Sequence, residues 1–345
     1  MTVKPELRLL AICAGLALAG QAHANLVITA TFDSSITSDP NAASIEATIN
    51  SAINFYQMTF SNPVNVTIDF QEMASGLGSS NTTLYKETYQ SFINNLTASS
   101  SGDATDTTAL AHLPTGATNP VTGSTTVNGK TANLRALGYS GIPPIGGFDG
   151  TIGLNTHLTN VGSPGTTGQY SLLAVIEHEI DEVLGLGSDL GNPGQTFFND
   201  PAPEDLFRYD GSGNRSYANN PNCGAGNGPA AYLSFDGTTR LAQFDNCADG
   251  GDYGDWASNP LPGGNPPQVQ DAFATPGSTP FLTISSPEVA ALDAIGYTLV
   301  RDARTLPEPT SLALAGLSLA GLAFARRRAS RGGNTRLAGV SPAAA

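Results

Sequence analysis

His178, Glu179 and Glu182 lie within the run Val175-Ile176-Glu177-His178-Glu179-Ile180-Asp181-Glu182-Val183-Leu184-Gly185. A spacing of four puts His178 and Glu182 on one helix face, one turn apart, where an imidazole and a carboxylate reach the same cation. Glu179 is displaced from His178 by about 100° around the axis. There a carboxylate meets the attacking water without taking a coordination place. The spacing allows a metal site, with Glu179 placed to touch a metal-bound water. Zn²⁺ accepts both ligand types, and an oxygen-rich shell also suits Mn²⁺ or Fe²⁺. The same residues have a plain structural reading, with Asp181 and Glu182 as a solvated face and His178 as a core histidine donating to a backbone carbonyl. No GxSxG run offers a nucleophilic serine.

Elements must position this run. Tyr170 to Leu186 carries Leu172, Leu173, Val175, Ile176, Ile180, Val183 and Leu184, and ends at Gly185 and Gly187, which predicts the strongest helix of the chain. Strands are predicted over Leu26–Phe32, Val64–Phe70 and Phe148–Asn155. Helices are predicted over Ala42–Phe60, Thr83–Leu96, Ala104–Leu113, Ala132–Leu137 and Glu288–Ile295, the last with Pro287 in its first turn. Asp189 to Ser278 is rich in Gly, Pro and Asn and reads as a loop-rich lobe. Strands and helices in this order give an α+β class.

The run His178 to Gly185 resembles the zinc-protease helix HExxH in its metzincin form, HExxHxxGxxH/D. The second His is replaced by Glu182, the turn glycine is Gly185, and the last ligand position holds Ser188. It is similar to bacterial extracellular metalloproteases that carry HExxE here. The similarity extends to Asp205-Leu206-Phe207-Arg208-Tyr209, to Asp252-Tyr253-Gly254-Asp255-Trp256, and to Ala290 through Tyr297. The resemblance implies a metzincin-like twisted sheet with an active-site helix, followed by a loop-rich C-terminal lobe, and a peptide or protein substrate laid along the edge strand before the helix. It also implies a third metal ligand. Asp189, next to Ser188, is favoured; Asp205, Asp252, Asp255 and His157 remain open, and Ser188 acts at most through water. A His/Glu/Asp shell cancels the ion's charge, which makes a weaker Lewis acid than three histidines. The methionine that metzincins hold beneath the metal has no counterpart after the helix. Asp205 with Arg208 reads as an ion pair ordering the loop, and the aspartates around Trp256 as a turn that is also able to hold structural Ca²⁺.

The two ends speak of export. Lys4 and Arg8 precede an apolar run from Leu9 to Gly20, and Ala22-His23-Ala24 follows, which is the order of a signal peptide cut before Asn25. Leu306-Pro307-Glu308-Pro309-Thr310, an apolar stretch to Ala325 and Arg326-Arg327-Arg328 resemble the PEP-CTERM sorting signal of Gram-negative bacteria. That implies transient inner-membrane anchoring, processing by an exosortase-type enzyme and delivery to the cell surface or extracellular matrix. The ends hold seven of the fifteen basic and two of the twenty-nine acidic residues, so the segment between has eight and twenty-seven, a net of −19. Such a field disfavours nucleic acid. Cys223 and Cys247 are the cysteines left after the signal, and one disulfide is expected in an oxidising compartment.

The expected organisation is a signal peptide over 1–24, a metzincin-like subdomain over 25–188 with the active-site helix, a loop-rich subdomain over 189–305 with the disulfide, the sorting signal over 306–328, and a basic tail over 329–345. The expected function is a secreted metallopeptidase. The alternative is a non-catalytic surface or matrix protein on a protease-like scaffold, stabilised by Ca²⁺.

Overall fold

The alternation that begins at Leu26 becomes strand β1, Val27–Phe32, which sends Ile28 inward and leaves Val27 and Thr29 exposed. In the computed structural model the described residues are 25–161, 168–190, 200–217, 230–247, 249–258 and 266–300. The chain parts into two compact units, Met1–Val300 and Arg301–Ala345. All the described residues belong to the first, so the signal peptide, the sorting signal, the basic tail and Cys223 lie outside them.

After the short helix α1, Ser34–Thr37, helix α2, Ala42–Thr59, buries Ile45, Ile49, Ala52, Ile53 and Tyr56 at helical spacing. It returns the chain to β2, Asn65–Glu72, parallel to β1 with Ile28 beside Val66 and Phe32 beside Phe70. Strand β3, Gly78–Thr82, and strand β4, Leu84–Thr88, follow, and then the helices α3, Tyr89–Ser99, and α4, Ala104–His112. Thr88 caps α3 through its hydroxyl, so the helix expected from Thr83 begins six residues later. Its first part is instead β4, which pairs antiparallel with β5, Thr126–Lys130. Helix α5 spans Thr131–Ala136, and β6 spans Gly150–Leu154.

The main sheet runs β1-β2-β6-β3. β6 lies parallel to β2 and antiparallel to β3. The strand before the helix that carries His178 is therefore internal. The edge is β3, whose Gly-Ser-Ser-Asn-Thr sequence has no apolar side to announce it.

Helix α6, Leu172–Leu184, lies against β3 and β6 on one side and α2 on another. The Ser171 hydroxyl caps it at the Ala174 N–H, 3.2 Å away. Gly185 ends it at φ 142°, with its N–H donating to Asp181 and Glu182. A Cβ at Gly185 would meet Ile295 at 2.9 Å, so conformation and space both call for glycine. Nearly the whole surface of α6 is buried, which explains its many apolar residues.

The residues after α6 pack within the same unit. Here the strands are two residues long: β7 Arg208–Tyr209, β8 Tyr232–Leu233 and β9 Ala242–Gln243. Helix α7, Pro287–Ala294, closes the unit. Arg208 is fully buried between the rings of Tyr253 and Phe244, 3.6 and 4.1 Å from their centroids, and donates to the Tyr253 carbonyl at 2.7 Å. It makes no direct ion pair with Asp205. That carboxylate accepts instead from the Ser188 hydroxyl at 2.5 Å and from the Ala202 and Asp189 N–H groups.

Candidate metal centre

Residues on α6 that face away from the core line a cleft of about 580 Å³. Its floor is His178, Glu179 and Glu182. One wall is β3 from Gly78 to Ser80, and the other contains Asp255, Val269 and Phe273. His178 Nε2 lies 4.0 Å from Glu182 Oε1 and 3.7 Å from Asp255 Oδ2. One donor atom from each of the three residues falls within 4.8 Å of the others.

Each donor is aimed by a neighbour. His178 Nδ1–H donates to the Val269 carbonyl at 3.1 Å, which turns Nε2 toward the two carboxylates. The Ser80 hydroxyl donates to Glu182 Oε2 at 2.6 Å and leaves Oε1 facing His178. The Gln270 amide donates to Asp255 Oδ1 at 2.9 Å and leaves Oδ2 free to turn inward. Gln270 is itself tied down, since its N–H and the Trp256 indole N–H both donate to Glu288 Oε1, at 3.1 and 3.0 Å. A tetrahedral Zn²⁺ with bonds of about 2.0–2.2 Å would bring its ligand atoms to roughly 3.3–3.5 Å. A small contraction of the observed spacings reaches that, so the residues fit such an ion in number, donor type and charge.

Burial works against an imidazolium at His178, but Asp255, Glu179 and Glu182 prevail and hold its pKa at about 10. Burial pushes Asp255 up to about 7 despite the neighbouring His178. Glu179 is buried, and desolvation and Glu182 hold it well above the usual carboxylate range, against the pull of His178. Its Oε2 has no hydrogen-bond partner.

Asp189, the favoured third ligand, does not join His178 and Glu182. Its N–H donates to Asp205 at 3.1 Å, and its carboxyl lies near Asn128 and Lys130. Asp255 takes the place beside them. The reason is a backbone contact: a Cβ at Gly254 would stand 2.5 Å from Gly187 Cα, so the segment leading to Asp255 lies directly on the turn after α6. The expected ligand position, Ser188, is beneath that contact and occupied with Asp205. His157 is exposed in the turn Thr156–Leu158, and Asp252 lines the cleft outside the three-donor group.

Sequence reasoning missed Gly78, Ser80, Gly254 and Gln270. Gly78 has the clearest signal, a glycine between polar residues, which marks close approach of another group. A Cβ there would collide with Glu179 Oε1 and lie 2.8 Å from Val175.

The chain is an α+β protein in which one imidazole and two carboxylates converge in a cleft beside an edge strand. Residues 305–328 match the PEP-CTERM protein-sorting motif. This motif marks a chain that is exported, held transiently in the membrane, processed by an exosortase-type enzyme and sorted to the cell surface. None of the curated proteins or solved structures compared with the chain matches it. Among the described residues no helix is long and apolar enough to cross a membrane.

Proposed function

We propose that the exported chain is a metal-dependent peptidase of metzincin-like build. The observation that supports this most is the convergence of His178, Glu182 and Asp255 donors within 4.8 Å, with Glu179 alongside, in a cleft bordered by an edge strand. Those three side chains would hold Zn²⁺, with Mn²⁺ or Fe²⁺ as the other ions suited to two carboxylates. When bound, the ion supplies electrophilic activation of the scissile carbonyl and a more acidic water.

The protein supplies the rest. Strand β3 offers its outer backbone groups to an extended peptide, which sets the carbonyl over the floor of the cleft. Glu179 accepts the proton of the attacking water and delivers it to the departing amine. Ser80, Val269 and Gln270 keep the three donors from turning away. The reading includes a Cys223–Cys247 disulfide, because these are the cysteines left after the signal peptide in a chain exported to an oxidising compartment.

Replacement of Glu179 by Gln is expected to abolish casein hydrolysis by the mature chain and leave its metal content intact, whereas His178→Ala loses both. Undiminished cleavage by the Glu179→Gln protein would overturn the mechanism. A parent chain that binds no transition metal by elemental analysis would leave the non-catalytic surface protein in its place.

A further inference from the structure

Away from the cleft, where α4 packs against α7, Asp103, Asp106 and Asp293 come together. Each offers one carboxylate oxygen, and the three oxygens lie within 4.8 Å of one another. Local structure accounts for two of them. Asp103 is the N-cap of α4 and accepts from the Asp106 N–H at 3.0 Å. Asp106 accepts from the Ser101 N–H at 2.6 Å and the Ser101 hydroxyl at 3.0 Å. Neither role accounts for Asp293. Its side chain is fully buried on α7, and neither of its oxygens meets a hydrogen-bond donor. The Thr105 hydroxyl is near enough to ease its charge, yet outside hydrogen-bond geometry. Among the described residues no Lys or Arg forms an ion pair with any of the three. A buried carboxylate with no hydrogen-bond donor, turned toward two other carboxylates, is a costly arrangement that the nearby Thr105 hydroxyl offsets only in part.

We propose that Asp103, Asp106 and Asp293 form a Ca²⁺ site that ties the start of α4 to α7. All the donors are hard oxygens, with none of the nitrogen or sulfur that a structural zinc site uses. Bonds of about 2.3–2.6 Å to Ca²⁺ place any two ligand oxygens no more than roughly 5.2 Å apart, which the cluster satisfies. Water completes the shell. A site with few protein ligands belongs to the weak extracellular class, with Kd of about 10⁻⁴–10⁻³ M, and a chain sorted to the cell surface works where such a site fills. The brace also serves the cleft. Glu288, in the first turn of the same helix, holds Trp256 and Gln270, and Gln270 aims Asp255.

Thermal unfolding of the exported, processed chain, first stripped with EGTA and then given about 2 mM CaCl₂, tests the site. The parent is expected to gain roughly 5 °C in Tm. Asp293→Asn should lose the gain. Asp103→Asn keeps the helix cap, since Asn caps as well as Asp, and is expected to weaken Ca²⁺ binding at least about tenfold by calorimetry. His178→Ala should keep the full calcium shift, which separates this site from the cleft. The proposal fails if the parent shows no shift, if both Asp variants respond like the parent, or if His178→Ala removes the response. Should Asp293→Asn not fold, the calorimetry of Asp103→Asn decides.

Discussion

Between Val27 and Leu184 the buried side chains are mostly apolar and fall at strand or helix spacing, as in Ile45, Ile49, Ile53, Val66, Ile68 and Phe70. Between Asp200 and Tyr297 the interior contains Glu204, Asp205, Arg208, Asp245, Asp255, Gln270 and Glu288, and the strands are two residues long. The first region folds on hydrophobic burial, which is non-directional and tolerant. The second depends on buried polar groups held by particular partners, as Asp205 is by Ser188 and Gln270 by Glu288, an arrangement in which every missing partner is expensive. The cleft straddles the two. Its base and two of its donors come from the first region, and Asp255 and the residue that aims the imidazole come from the second.

The sharpest way to break this division is Trp256→Ala. The indole is fully buried, stacks near Phe244 with ring centroids 5.0 Å apart, and donates to Glu288. Its removal is expected to cost about 3–5 kcal/mol and to loosen the second region while near-native far-UV circular dichroism from α2 and α6 persists. Equal loss of both regions in hydrogen exchange would show that they fold as one. Gly78→Ala acts on the other side of the cleft. Pressing a methyl onto Glu179 is expected to destabilise by about 1–3 kcal/mol and to lower peptidase activity well beyond the effect on Tm. An unchanged kcat would mean that Glu179 has room to move away.

A milder perturbation is Ser80→Ala, which frees Glu182 to turn. Loss of such a supporting contact is expected to lower metal affinity by about 10–100-fold, as read by competition with a chelator, with little change in folding. The smallest effect is in pH dependence. Burial pushes Glu204 up to about 8, partly opposed by the Gly187 N–H that donates to it. The unfolded chain releases this proton near the ordinary glutamate value of 4.5. The folded state therefore binds the proton more tightly, its contribution is complete below that value, and stability falls as pH rises toward 8. Glu204→Gln should flatten the slope of stability between pH 5 and 8 by at most about 1.4 kcal/mol per pH unit. An unaltered slope would assign the dependence to other buried acids such as Glu177, which burial raises to about 7.

The same division explains what was legible in the sequence. Helices α2 and α6 and strands β1, β2 and β6 stand out because apolar periodicity is what forms them. His178, Glu179 and Glu182 were readable because helical spacing alone brings them together. Strands β3 and β5 were missed because Gly-Ser-Ser-Asn-Thr and Thr-Val-Asn-Gly-Lys carry almost no apolar signal, and their pairing is set by backbone contacts to distant strands. Asp189 was favoured over Asp255, which stayed open, because nothing local marks Asp255 as the carboxylate that comes to lie beside His178. Its position follows from Gly254 lying on the turn after α6, and no spacing rule reaches across such a gap. Val269, 91 residues beyond His178, was equally invisible.

That hydrogen bond from the imidazole to the Val269 carbonyl also orders events in time. A polypeptide leaves the ribosome and crosses a membrane with its amino end leading, so α6 emerges long before Val269 does. Until the later stretch arrives, the ring lacks the carbonyl that orients it, and Asp255 also follows late. On the proposed reading, competence would be deferred to the last moments of biogenesis, when nearly everything ahead of the sorting signal has been made.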